Sequence, residues 1–122
     1  MGRLVVIAGP ECSGKMPLAR RLMSEDPSLV MVHRDTIRAS LITLDDESLI
    51  TRLMGHIASD LLDAGHSAIV CAWNMEPADA ALWNGLADAA GIKAEWFDVR
   101  DPAVAALIPP LDGWTPEALR AA

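Results

Sequence analysis

The stretch that decides the fold is Leu4-Val5-Val6-Ile7-Ala8-Gly9-Pro10-Glu11-Cys12-Ser13-Gly14-Lys15-Met16. Its first five residues are continuously apolar and rich in β-branched side chains, as a strand buried on both faces requires. Leu18-Ala19-Arg20-Arg21-Leu22-Met23 follows and reads as a helix. Between the two lies Gly9-x-x-x-x-Gly14-Lys15, a glycine-bounded loop ending in lysine. Strand, loop and helix in that order are the setting of a phosphate-binding P-loop. Such a loop turns backbone N–H groups inward, and the helix N-terminus adds unsatisfied donors and a partial positive charge. Gly9, Glu11, Cys12, Ser13, Gly14, Lys15 and Met16 are therefore the candidate phosphate-binding residues, with the Lys15 ammonium serving the outer phosphates. The motif departs from the pattern at its last position. Met16 stands where a hydroxyl residue normally holds Mg²⁺, and a thioether is a poor ligand for a hard cation.

Outward from the loop, strands and helices alternate. The first helix is expected over about Lys15 to Ser24, with Pro17 tolerated because it falls in the first turn. Asp26-Pro27 ends it, and Leu29-Val30-Met31-Val32 reads as a second buried strand. A helix from His33 to about Leu41 comes next. Asp45-Asp46-Glu47 then places acids where a helix N-terminus favours them. Leu49, Ile50, Leu53, Met54, Ile57, Leu61 and Leu62 form the apolar stripe of that helix, and Gly65 caps it. Ser67 to Ala72 is a third strand, Pro77 opens a helix that Gly91 closes, and Ala94 to Val99 is a fourth strand. Pro102 to Leu107 is a short helical turn, and Thr115-Pro116-Glu117 starts a small terminal helix. This alternation implies right-handed crossovers and a parallel sheet covered on both faces.

Size and composition agree with one α/β domain spanning residues 1–122. The chain is 52% hydrophobic but only 4% aromatic, which fits an aliphatic core and argues against disorder. No apolar run reaches membrane-spanning length, and no signal-peptide pattern is present, so no membrane role is expected. Two cysteines without paired spacing point to a reducing, cytoplasmic setting. The net charge of −7 is uneven. Residues 1–40 carry six basic and four acidic side chains, and the remainder carries four basic and thirteen acidic. A mildly positive first third suits a local anion site, whereas the acidic remainder argues against a broad nucleic-acid platform.

A second informative stretch is Asp35-Thr36-Ile37-Arg38, just past the second strand. Ligands of parallel α/β sheets bind beyond the carboxyl ends of the strands, so this stretch and the loop should open onto one cleft. A carboxylate there can orient and deprotonate a hydroxyl nucleophile, and an arginine one turn on can hold a phosphate bidentately. Taken alone, the pair reads more readily as a helix-capping Asp with an i,i+3 ion pair, since surface ion pairs are common and weak.

Joined together, the two motifs carry a resemblance. Gly9-x-x-x-x-Gly14-Lys15 with Ala19-Arg20-Arg21, and then His33-Arg34-Asp35-Thr36-Ile37-Arg38, resemble the kinase domain of phage polynucleotide kinases and the related zeta-toxin-like P-loop kinases. The similarity continues through Ala68-Ile69-Val70-Cys71-Ala72-Trp73-Asn74 and Leu82-Trp83 to Trp96-Phe97-Asp98-Val99, covering nearly the whole chain. It implies a three-layer αβα P-loop NTPase fold with a four-stranded parallel sheet in the order 2-3-1-4. It also implies roles: Lys15 on the outer phosphates of ATP or another nucleotide, Asp35 as base for an acceptor hydroxyl, Arg38 on the acceptor's phosphate, and Asn74 on the acceptor side. The implied partners are a nucleotide and a nucleic-acid 5′ end.

Several positions depart from that family. Beside Met16, Pro17 lacks the N–H that position offers to inner phosphates. Cys71 replaces an acidic residue that supports the metal, and Trp73 replaces a small hydroxyl residue. The arginine-rich lid is missing, since Arg120 is the only basic residue beyond Arg100. A lid arginine alone is worth about 10³ to 10⁵ in rate, so these losses point away from Mg²⁺-dependent transfer and leave binding less affected. Three functions stay open: a degenerate kinase that acts by binding nucleotide or phosphate, an active kinase moving the ATP γ-phosphate to a hydroxyl such as a polynucleotide 5′-OH, and a protein-interaction module on a P-loop scaffold. The acidic face of the long helix and the Pro109–Trp114 segment are the surfaces a protein partner would use in the third.

Overall fold

In the computed structural model the apolar run forms β1 (Leu4–Ala8), and all five residues are fully buried. The structure describes residues 2–10, 13–41, 46–72 and 77–109. The expected terminal helix and Trp114 lie outside these residues. After β1 come α1 (Lys15–Glu25), β2 (Leu29–Val32), α2 (Arg34–Ser40), α3 (Glu47–Asp63), β3 (Ser67–Ala72), α4 (Pro77–Ala89), β4 (Ala94–Asp98) and α5 (Pro102–Ala105). The four strands form one parallel sheet in the order β2-β3-β1-β4. Both the expected fold class and the strand order are found.

Alternation along β1 divides the core in two, because successive side chains of a strand point to opposite faces. Leu4 and Val6 join Val32, Ile50, Met54, Ala58, Leu62 and Trp83 on the α3/α4 face. Val5 and Ile7 join Leu18, Ala19, Leu29, Ile69 and Val99 on the α1 face. Those two apolar layers, each sealed by helices, let a strand without polar side chains sit in the centre of the sheet.

Local chemistry sets the element ends. Gly65 and Gly91 both take positive φ just beyond a helix. At the first, His66 N–H reaches the Leu61 carbonyl at 2.8 Å and Gly65 N–H reaches Leu62 at 3.0 Å. At the second, Ile92 N–H reaches Ala87 and Gly91 N–H reaches Asp88, both at 3.0 Å. Each is a Schellman closure of orphan carbonyls. Asp46 caps α3 by accepting the Leu49 N–H at 3.0 Å.

Three expectations need correction. β2 is not wholly buried: Val30 shares the face of Val32 yet is 42% exposed, because β2 is an edge of the sheet formed by the described residues. The buried stripe of α3 is Ile50, Met54, Gly55, Ala58 and Leu62, and Ile57 stands out in solvent at 42%. Gly55 and Ala58 take the inner positions because small residues let α4 and the sheet approach closely; Leu82 of α4 lies over Gly55. The fourth strand ends at Asp98 and the last helix at Ala105, although Val99 N–H still donates to the Ala8 carbonyl at 3.0 Å.

Candidate phosphate-binding site

The loop after β1 and the start of α2 occupy the same edge of the sheet. Ala8, the last residue of β1, is level with Ala72 at the end of β3, and Val32 of β2 is level with Val70. One strand, β3, separates the two segments, so their strand axes are roughly 10 Å apart at two strand spacings.

On the loop side, Gly14 caps α1 in the left-handed region at φ 90°, and Lys15 is the first residue of the helix. Positive φ explains the glycine. A second constraint comes from packing, since a Cβ at Gly14 would stand 2.8 Å from Ile108 Cδ1 and one at Gly9 2.2 Å from Val99 Cγ2. The segment after β4 therefore packs against the loop, and Arg21 Nη1 holds it by donating to the Leu107 carbonyl at 2.5 Å. Ser13 Oγ donates to the Pro10 carbonyl at 2.5 Å, and Lys15 Nζ to the Gly9 carbonyl at 2.7 Å. Thus the ammonium folds across the loop, where a bound phosphate would meet it. Met16 and Pro17 complete the first turn of α1, and proline subtracts one N–H from the donors a helix N-terminus presents. Glu11 and Cys12 lie outside the described residues.

Asp35 and Arg38, expected on the acceptor side, stand on α2. Asp35 sits in its first turn and is 73% exposed. The i,i+3 ion pair with Arg38 forms, and Arg38 is more deeply engaged elsewhere. Its Nε donates to Glu47 Oε1 at 3.0 Å, and its Nη2 lies 2.9 Å from each Glu47 oxygen. Arg34 Nη1 reaches Glu47 Oε2 at 2.7 Å, and its Nη2 donates to Thr51 Oγ1. Glu47, Arg34 and Thr51 are side chains of this candidate site that sequence reasoning missed. Glu47 reads in sequence only as an acid suited to a helix start, and nothing local pairs it with an arginine nine residues earlier. The carboxyl of Glu47 is held below the usual carboxylate range, chiefly by hydrogen bonds from Arg38, while Arg38 is raised chiefly by Glu47. His33 precedes α2 with its Nδ1 3.0 Å from Thr36 Oγ1. Trp73 and Asn74 lie outside the described residues.

Cys71 is level with Ile7 near the carboxyl end of β3, between the two halves of the cleft. Burial pushes its thiol up to about 11, and the Lys15 charge offsets only part of this. The thiol therefore stays neutral near pH 7. Across β1, Arg100 closes on Asp98 at 2.8 Å, so that cation too is matched by a carboxylate. At Met16 and Cys71, the positions where the resemblance implies support for Mg²⁺, the chain carries a thioether and a neutral thiol, both poor partners for a hard cation. Among the described residues, no group of three or more His, Cys, Asp or Glu side chains is placed to hold a metal ion.

A parallel αβα sheet with a glycine-bounded, lysine-ended loop between its central strand and the next helix defines a P-loop kinase-like domain. The chain belongs to the AAA domain family AAA_33, whose model matches residues 4–106. Among solved structures it is similar to a chain of the Pnkp1/Rnl/Hen1 complex (TM-score 0.71, 18% identity), covering 93% of this chain and 40% of that one. It is also similar to the Mycobacterium tuberculosis APS kinase CysC in complex with AMPPNP and APS (TM-score 0.62, 24% identity), covering 93% and 76%. A third similar structure is a sugar kinase from Janibacter (TM-score 0.60, 18% identity), covering 99% and 75%. These likenesses are of fold. No curated protein matches the chain in sequence. Among the described residues, no helix is long and apolar enough to cross a membrane.

Proposed function

We propose that this chain is a nucleotide- or phosphate-binding domain on a kinase scaffold that acts by binding, with phosphoryl transfer impaired. The observation that carries the reading is the opening of α1. Gly14 takes the left-handed turn that opens α1 and Lys15 folds back over the loop, which favours an anion there, while Met16 and Pro17 beside them offer neither a hard-cation ligand nor a second backbone donor. Transfer depends on a metal bridging the outer phosphates, whereas binding can rest on the loop amides, the helix N-terminus and Lys15. The AMPPNP complex of the similar CysC structure supports a nucleotide as the ligand. Calorimetric titration with ATP and ADP, each with and without Mg²⁺, tests it. Binding of similar strength in all four experiments is expected, with no phosphorylated product. Binding that depends on Mg²⁺ would overturn it.

Asp35 supports a second reading. An exposed carboxylate at the start of α2, across the cleft from the loop, is where a general base for an acceptor hydroxyl would stand. On this reading the chain moves the ATP γ-phosphate to a hydroxyl such as a polynucleotide 5′-OH, consistent with its likeness to part of an RNA repair complex containing Pnkp1. Incubation with ATP and 5′-hydroxyl oligonucleotides decides it: transfer abolished by Asp35→Ala is the expected result, and no transfer by the wild type rejects it.

A further inference from the structure

We infer that the Glu47 carboxylate is a built-in ligand of an oxyanion site formed by Arg38 and Arg34, and that it holds this site shut against phosphate-bearing ligands. The geometry is that of anion recognition. Both Glu47 oxygens accept from Arg38, and Oε2 also accepts from Arg34 at 2.7 Å. The Arg38 fork of Nε and Nη2, joined by a single N–H of Arg34, converges on one anion, an arrangement suited to a phosphate monoester. Here the anion is tethered. Glu47 is the first residue of α3, where the helix N-terminus also favours negative charge.

Three further observations separate a gate from a plain strut. Arg38 spends every guanidinium nitrogen on Glu47 and Asp35, so a ligand can engage it bidentately only by displacing Glu47. The contact is open to solvent, with Glu47 54% and Arg38 42% exposed, so a dissolved anion can compete for it. Arg34 Nε is buried without a hydrogen-bond partner among the described residues, so the carboxylate leaves a donor unanswered. Charge completes the argument. Arg34 and Arg38 against Asp35 and Glu47 sum to zero, and removing Glu47 leaves one net positive charge at the mouth of the cleft.

This inference rests on the proposed function only in taking the carboxyl edge of the sheet as the ligand side. The probe is inorganic phosphate, followed by phosphorus NMR at low ionic strength in a Lys15→Ala background that silences the loop. Adding Glu47→Ala should tighten phosphate binding at least tenfold, and adding Arg38→Ala as well should return it to the starting value. No tightening, or tightening that survives Arg38→Ala, would overturn the inference. Should Glu47→Ala fail to fold, Glu47→Gln keeps the side-chain length and removes the charge, and the same direction of change is required. ATP titration of the wild type is read separately: its failure would reject the nucleotide reading alone, whereas the phosphate response decides the role of Glu47.

Discussion

The amino end of the sheet carries one arginine set between two carboxylates, the carboxyl end carries two arginines on a similar pair, and the surroundings give the two clusters different work. At the amino end, Arg3 Nε and Nη2 grip Glu95 at 2.8 Å each, and Nη1 reaches Asp26 at 2.6 Å. That joins the start of β1 to β4 and to the end of α1, segments distant in sequence. At the carboxyl end, Arg38 joins α2 to the start of α3, its partners three and nine residues away. The first cluster holds strands together; the second decorates a cleft. Identical side-chain chemistry serves architecture where it closes long loops, and remains exchangeable where it bridges neighbours.

Breaking the amino-end cluster should have the largest effect. Arg3→Met is expected to cost about 2 kcal/mol, allowing for partial exposure of the groups, or roughly 8 °C in Tm by thermal unfolding. Nucleotide binding should be unchanged. Lys15→Ala should do the reverse, weakening ATP at least tenfold, about 1.4 kcal/mol, with Tm held. A Tm loss in Lys15→Ala larger than that in Arg3→Met would erase the distinction between the two ends.

Acid sharpens it next. Arg3 holds the Glu95 carboxyl below its ordinary value of 4.5. A depressed carboxylate contributes stability that is present above that value and lost as pH falls through its folded-state pKa. The stability gap between wild type and Arg3→Met should therefore stay constant from neutral pH down to about 5 and shrink below the ordinary carboxylate range. Denaturant titrations at stepped pH would read it; a constant gap at pH 3 would contradict the assignment. Smallest of all, Arg38→Met should change stability by less than about 0.5 kcal/mol, the scale of an exposed ion pair.

The fold was legible because its signals are local. β1 declares itself by five consecutive apolar residues, α1 by the glycine and lysine that open it, and the helix ends by Gly65 and Gly91. The loop half of the site was legible for the same reason. Edges were not: Val30 is as β-branched as Val32, and it is exposed because β2 lies at the edge of the sheet among the described residues. The acceptor half was read in part. Asp35 and Arg38 stand in one motif, but Glu47 meets Arg38 across the connection between two helices, and Glu95 meets Arg3 across 92 residues. Such pairings depend on where the chain returns, which no window of sequence contains.

The central position of β1 has a consequence for the order in which the molecule can assemble. Leu4 pairs with Ala68 on one side and with Ala94 on the other. During synthesis, at about 5 to 20 residues per second, the most apolar strand waits several seconds for its first partner. Closing so long a loop is slow, since its entropy must be lost before any pairing compensates. The nascent chain carries an unpaired hydrophobic segment until β3 has been made, and the demand for chaperone cover falls on those residues.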